Sequence, residues 1–188
     1  RYMRLLEIVP GPETSKDIVE QASAFGEWLG KGIVSGKDTP NFVANRIGVY
    51  AMMLTLKLME KHGLSVEAVD KIVGKPMGRP KSAAFGTADI VGLDTLAHVA
   101  QNCFDSLTKD EERQVFALPE WFTKMVKEGR LGRKSSAGFY KKVGNDILSV
   151  DIKTLEYKPQ EKVRFESLGA GKSLEDAGER LKTLVDAD

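Results

Sequence analysis

Apolar residues recur along the chain at two spacings, and the opening stretch shows both. Arg4 to Val9 is a short apolar run closed by Pro10-Gly11-Pro12, which predicts a strand and then a turn. Beyond the turn, Ile18, Ala22, Phe25 and Leu29 return at helical spacing. Thr14 or Ser15 is placed to accept the free amides of that helix, and Asp17 suits its first turn. Gly30 and Gly32 end the helix, and Ile33-Val34-Ser35 reads as a second strand. A lone strand-helix-strand unit cannot bury both faces of its strands, so this one reads as the trailing edge of a larger sheet.

From Asp38 the pattern turns helical. Pro40 suits a first helical turn, and 13 of the 20 residues from Asn41 to Glu60 are apolar, spread almost all round the helix, as in the centre of a bundle. His62-Gly63 closes it. Ser65 opens a shorter helix, Val66 to Val73, which the Gly74 to Pro80 loop breaks. Further helices are predicted over Ala88 to Ser106 and Leu118 to Glu128. After Gly138-Phe139-Tyr140 the composition becomes polar. It allows a strand at Ile147 to Val150, an extended stretch from Leu155 to Phe165 and a helix from Ser173 to Val185, and it reads as a solvated linker to another module.

Composition narrows the class. With 188 residues, 28 basic and 27 acidic side chains and 41% apolar content, the chain falls among soluble globular domains. No segment carries the excess of Lys and Arg that a nucleic-acid partner requires. The longest uncharged run in the most apolar helix, Ile47 to Leu56, is far below the ~20 residues of a membrane span. A single cysteine, Cys103, fits a reducing compartment, and a cytoplasmic location is expected. Arg at the first position suggests a piece of a longer chain.

Candidate chemistry is sparse. His62 and His98 lie far apart without cysteine neighbours, so no metal is expected, and no Gly-x-Gly-x-x-Gly loop is present to cradle a dinucleotide. Three polar residues interrupt apolar or turn-forming segments. Glu7, within Leu-Leu-Glu-Ile-Val, faces water from an edge strand or has a dedicated partner. Asn45, one turn into the most apolar helix, is a satisfied amide or a ligand contact. Lys134, in the Gly132 to Gly138 loop, is a solvated cation or meets an anionic ligand.

Five segments in order carry a resemblance: Met3 to Val9, Lys37-Asp38-Thr39-Pro40-Asn41-Phe42-Val43-Ala44-Asn45-Arg46, Pro76 to Pro80, Asp89-Ile90-Val91-Gly92-Leu93-Asp94-Thr95, and Gly132-Arg133-Lys134 with Gly138-Phe139-Tyr140. Over about Tyr2 to Lys142 they resemble the 3-hydroxyacyl-CoA dehydrogenase family. The resemblance implies a mainly helical fold, a bundle of the 6-phosphogluconate dehydrogenase C-terminal type, preceded by a strand-helix-strand remnant of a Rossmann domain. Residues 1–37 would end the NAD-binding domain, 38–143 would form the helical C-terminal domain, and 144–188 would be a linker or the start of another module of a multifunctional fatty-acid oxidation protein.

The implied chemistry is NAD-dependent oxidation of an (S)-3-hydroxyacyl-CoA to a 3-oxoacyl-CoA. Glu7 matches the glutamate that orients a catalytic histidine, Asn45 the substrate-binding asparagine, and Lys134 a lysine near the cofactor. The histidine lies upstream in relatives, in a His-Phe-Phe-Asn-Pro stretch, so this chain alone is expected to be inactive. Implied partners are the acyl-CoA substrate and a second helical domain, in a homodimer or in the same parent; in a eukaryote the location would be the mitochondrial matrix or peroxisome. Two departures from the pattern are Asn41, where glycine is usual after Thr-Pro, and Ser135-Ser136-Ala137, where Thr-Gly-Gln/Glu is usual. A non-catalytic helical dimerisation or scaffold module is the alternative.

Overall fold

The computed structural model describes residues 3–186. Its first unit is strand β1 (Leu5–Ile8), helix α1 (Lys16–Trp28) and strand β2 (Gly32–Ser35), the strands pairing in parallel with Glu7 opposite Val34. Gly26 lets α1 lie close on this sheet: a Cβ there would sit 2.5 Å from Ile33 Cδ1 and 2.7 Å from Leu6 Cδ2. Ser15 occupies the N-cap position, but its hydroxyl makes no cap bond. Thr14 caps nothing either, because its hydroxyl accepts from Gly11 N at 3.1 Å and closes the preceding turn. The outer side of α1 leaves Phe25 and Trp28 57% and 79% exposed, which is the unpartnered state expected of a sheet edge.

The rest of the chain is mainly helical. Helix α2 (Ala44–His62) is the longest, and it buries Met53, Leu56 and Met59. It starts four residues after Pro40, because Asn41 and Phe42 adopt left-handed backbone angles, φ 61 and 51, and form a turn first. Gly63 ends the helix in the left-handed conformation, and Ser65 caps α3 (Val66–Val73) by accepting from Ala68 N.

The helix expected over Ala88 to Ser106 is two helices, α4 (Phe85–Val91) and α5 (Leu93–Ser106), broken at Gly92 with φ 103. Leu93 N donates to Leu131 O instead of continuing the α4 ladder. Helix α6 (Glu120–Lys127) follows and buries Phe122 and Met125.

The polar stretch after Tyr140 departs from a solvated linker. Strands β3 (Tyr140–Val143), β4 (Asp146–Val150) and β5 (Tyr157–Pro159) form an antiparallel sheet that buries Val150 and Leu155 in the helical core. Phe139 anchors it, 4.6 Å from Phe85 and 6.0 Å from Phe122 between ring centroids. Such aromatic contacts favour the packing beyond simple burial. Helices α7 (Glu166–Ala170) and α8 (Ala177–Asp186) follow, and Arg180 Nε on α8 donates to Pro76 O. Among the described residues no helix is long and apolar enough to cross a membrane.

Candidate active site

Two of the three candidate residues meet where the parallel strands end. Gly36 follows β2 and lies against the side chains of Val9 and Val43, so the carboxyl ends of both strands abut the start of α2. In open α/β sheets ligands bind at this edge. Glu7 neither faces water alone nor pairs with a cation. Its Oε2 accepts from Val43 N and its Oε1 from Ala44 N, each at 2.9 Å. A strand carboxylate thus satisfies two of the free amides of α2 and complements the positive end of its dipole.

Asn45 is the next residue after Ala44. It is exposed, and its side-chain amide makes no hydrogen bond to the described residues. A satisfied core amide is therefore not what this asparagine is. Arg46, beside it, forms an ion pair with Asp110.

The turn into α2 carries strain. An asparagine tolerates the left-handed region better than most residues, but a bulky residue such as Phe42 is an outlier there, at a cost of order 1–3 kcal/mol. Asn41 Nδ2 donates to Asn102 Oδ1 at 3.1 Å and to Cys103 Sγ at 2.9 Å, both near the C-terminal end of α5. Cys103 is fully buried, and that burial pushes its thiol pKa up, which makes it a packed side chain and not a nucleophile.

Lys134 lies elsewhere. It pairs with Asp94 at 2.5 Å, in the first turn of α5, whereas Asn41 meets the C-terminal end of the same helix. Eight residues of helix separate Asp94 from Asn102, roughly 12 Å at the α-helical rise. Glu7 and Asn45 are brought together; Lys134 is not brought to them. Its ammonium holds the Asp94 carboxyl below the usual carboxylate range.

A pair of carboxylates that sequence spacing does not bring together lies elsewhere. Asp89, 5% exposed on α4, accepts from Phe139 N at 2.8 Å and Tyr140 N at 2.9 Å. Burial pushes its pKa up to about 6, with Asp70 adding to the effect. Asp70 on α3 accepts from Ala84, Phe85 and Gly86 at the start of α4 and from the Tyr140 hydroxyl. Burial raises both Asp70 and the Tyr140 phenol. The glycines flanking Lys134 belong to this cluster: a Cβ on Gly138 would fall 2.1 Å from Asp89 Oδ1, and one on Gly132 2.4 Å from Asp89 O. They permit close packing on α4 and need no ligand to account for them.

Comparison with known proteins bears on this geometry. Residues 42–142 match the family described as 3-hydroxyacyl-CoA dehydrogenase, C-terminal domain. A protein of Bacillus subtilis (strain 168) named "Probable 3-hydroxyacyl-CoA dehydrogenase" is 47% identical over 189 residues, which is 100% of this chain and 24% of that protein. A protein of Rickettsia prowazekii (strain Madrid E) named as a fatty acid oxidation complex trifunctional enzyme is 31% identical over 169 residues, 87% of this chain and again 24% of the relative. The chain thus spans about a quarter of the length of these curated relatives. Among solved structures, FadB2 of M. tuberculosis superposes with a TM-score of 0.66 at 30% identity, covering 76% of this chain and 48% of FadB2.

Proposed function

The chain belongs to the 3-hydroxyacyl-CoA dehydrogenase family, and from that premise we propose that it supplies part of the active site of an enzyme oxidising (S)-3-hydroxyacyl-CoA to 3-oxoacyl-CoA with NAD, in fatty-acid β-oxidation. In this reading residues 1–37 end the nucleotide-binding domain and 38–143 form the helical domain. Residues 144–188 lead on to a further module of a multifunctional parent, their first part docked on the helical domain as β4 and β5.

NAD, when bound, would supply the acceptor for the hydride that leaves C3 of the substrate. The parallel strand ends beside Glu7 suit a dinucleotide, although the loop that would cradle its pyrophosphate is not in this chain. Each carboxylate oxygen of Glu7 takes one backbone bond and retains acceptor capacity. The fixed carboxylate can therefore hold the N–H of an imidazole supplied from upstream, set its tautomer and stabilise the imidazolium formed when it takes the 3-hydroxyl proton. Asn45, with a free amide one residue beyond the Glu7 contacts, is placed to hold the substrate at the reacting carbon. Lys134 would reach the anionic cofactor only by leaving Asp94, and its assignment rests on the resemblance.

The observation that carries this reading is the pair of bonds from the α2 amides to Glu7 at the strand ends, with Asn45 beside them. Assays with acetoacetyl-CoA and NADH should show no turnover by the isolated chain and clear turnover once the upstream segment is restored. Activity of the isolated chain would contradict the upstream histidine. Inactivity of the intact protein would contradict redox chemistry.

The exposed apolar side chains Ile47, Ile90 and Val91 favour a second copy or a second helical domain as partner, and they are what a non-catalytic assembly module would also present. Sedimentation of the chain tests the assembly reading: self-association is expected, and a strictly monomeric chain would weaken that reading while leaving the enzymatic one standing.

A further inference from the structure

Glu7 and Asn45 share one geometry only if the chain arrives at α2 in one conformation, and the lead-in is the least relaxed part of the backbone. Asn41 and Phe42 are consecutive left-handed residues, and Phe42 N closes their turn on Thr39 O at 3.0 Å. The Phe42 ring is 44% exposed, so core packing does not hold the turn in place. Two other sets of contacts do. On one side the Asn41 amide reaches Asn102 and Cys103 of α5, the latter fully buried. On the other, the two amides that follow the turn, Val43 N and Ala44 N, hold Glu7.

If the Asn41 backbone left the left-handed region, the following amides would swing away from the carboxylate, and Asn45, two residues on, would turn with them. Asn41 itself touches neither the carboxylate nor the exposed amide; it fixes the turn between them and α5. Asparagine is suited to this double role, since it adopts φ near 60° at little cost and brings a donor that glycine lacks.

We propose that Asn41 is a positioning residue, whose left-handed backbone and side-chain amide pin the turn into α2 against α5 and thereby set Glu7 and Asn45 for reaction. The proposal rests on the reading of Glu7 and Asn45 given above, and it extends that reading to a residue in contact with neither substrate nor cofactor. A small misplacement of reacting groups is costly in rate, so loosening this turn should appear in kcat before it appears in cofactor binding.

The test uses the intact protein that carries this chain, with Asn41→Gly and Asn41→Val. The glycine keeps the turn and removes the amide; the β-branched valine opposes both. Expected kcat losses are about 3-fold for Asn41→Gly and about 10-fold or more for Asn41→Val, with KM for NAD unchanged. Iodoacetamide labelling of the Cys103 peptide, followed by mass spectrometry, should be several-fold faster in both variants, because the Asn41 amide that lies against the thiol is gone. Where the valine variant does not fold, the glycine variant decides, since it adds no strain. Unchanged kcat in Asn41→Gly would overturn the positioning role, whatever happened to its melting temperature. An inactive wild type would overturn the enzymatic reading instead, and the labelling rates would then judge the pin alone: equal rates would overturn it, faster labelling would support it.

Discussion

Glu7 and Asp89 make the same pair of bonds in opposite surroundings. Each carboxylate accepts from two successive backbone amides, Glu7 from Val43 and Ala44, Asp89 from Phe139 and Tyr140. Asp89 is 5% exposed, packed between Asp70, the Gly132 and Gly138 backbones and the start of β3, at the wall of a cavity of about 1010 Å³ that Asp70 and Tyr140 also line. Glu7 is only partly buried and stands at a sheet edge, next to an asparagine whose side chain has no hydrogen-bond partner among the described residues. A displaced titration is commonly read as a mark of function, but at Asp89 it marks burial. The chemistry is sought at the other carboxylate, because it stands at the carboxyl ends of the parallel strands with Asn45 next to its contacts, whereas the Asp89 bonds tie β3 to α4.

The sharpest way to break this contrast is to remove the buried anchor. Asp89→Ala leaves two backbone N–H groups unpaired, Phe139 N fully buried among them, and should destabilise the chain by about 2–6 kcal/mol at roughly 1–3 per orphaned group. Chemical denaturation measures this, and a loss well under 1 kcal/mol would show that Asp89 does not anchor β3.

A smaller effect follows from pH. Folding raises the Asp89 pKa from 3.8 to about 6, so the folded state holds that proton more tightly than the unfolded state. The stability it contributes is complete below about pH 4 and is lost as the pH rises through 6. Asp70 is shifted in the same direction by burial and remains in the variant. The stability difference between the wild type and Asp89→Asn should therefore change across pH 4 to 7 and level off above it. A difference independent of pH would remove Asp89 from the titration.

The smallest effect belongs to Lys134. Its ion pair with Asp94 is about half exposed on both sides, and such pairs contribute little to stability. Lys134→Met should leave the melting temperature nearly unchanged and raise KM for NAD by roughly 2- to 5-fold, as expected for one exposed cation near an anionic ligand. An unchanged KM would confine Lys134 to the surface pair.

Much of the local structure was legible because local signals set it: the Pro10 to Pro12 turn, the apolar spacing of α1 and α2, the Gly63 terminus and the Ser65 cap. What escaped depends on residues far apart in sequence. Gly92 breaks a helix because Leu93 N turns to Leu131 O. The β3–β5 sheet depends on a few inward side chains, Val150 and Leu155 among them, set in polar sequence. Asp70 finds its partners 14 to 16 and 70 residues downstream and Asp89 finds its own 50 to 51 downstream, so no local spacing reveals the pairing, although Asp89 lies in a segment that carries the resemblance. The candidate site was legible through its motifs and not through its geometry. Asn41 stood out only as an unusual residue after Thr-Pro, while its left-handed angle and its reach to α5 required the fold.

The central claim, that the carboxylate at the end of the opening strand serves chemistry while the buried one serves the fold, is tested most directly by kcat of Glu7→Gln in the intact protein. Glutamine retains one of the two backbone contacts and loses the charge that would stabilise an imidazolium. The account predicts a fall on the order of 10²-fold, with the melting temperature lowered only slightly. A wild-type kcat in Glu7→Gln would contradict it.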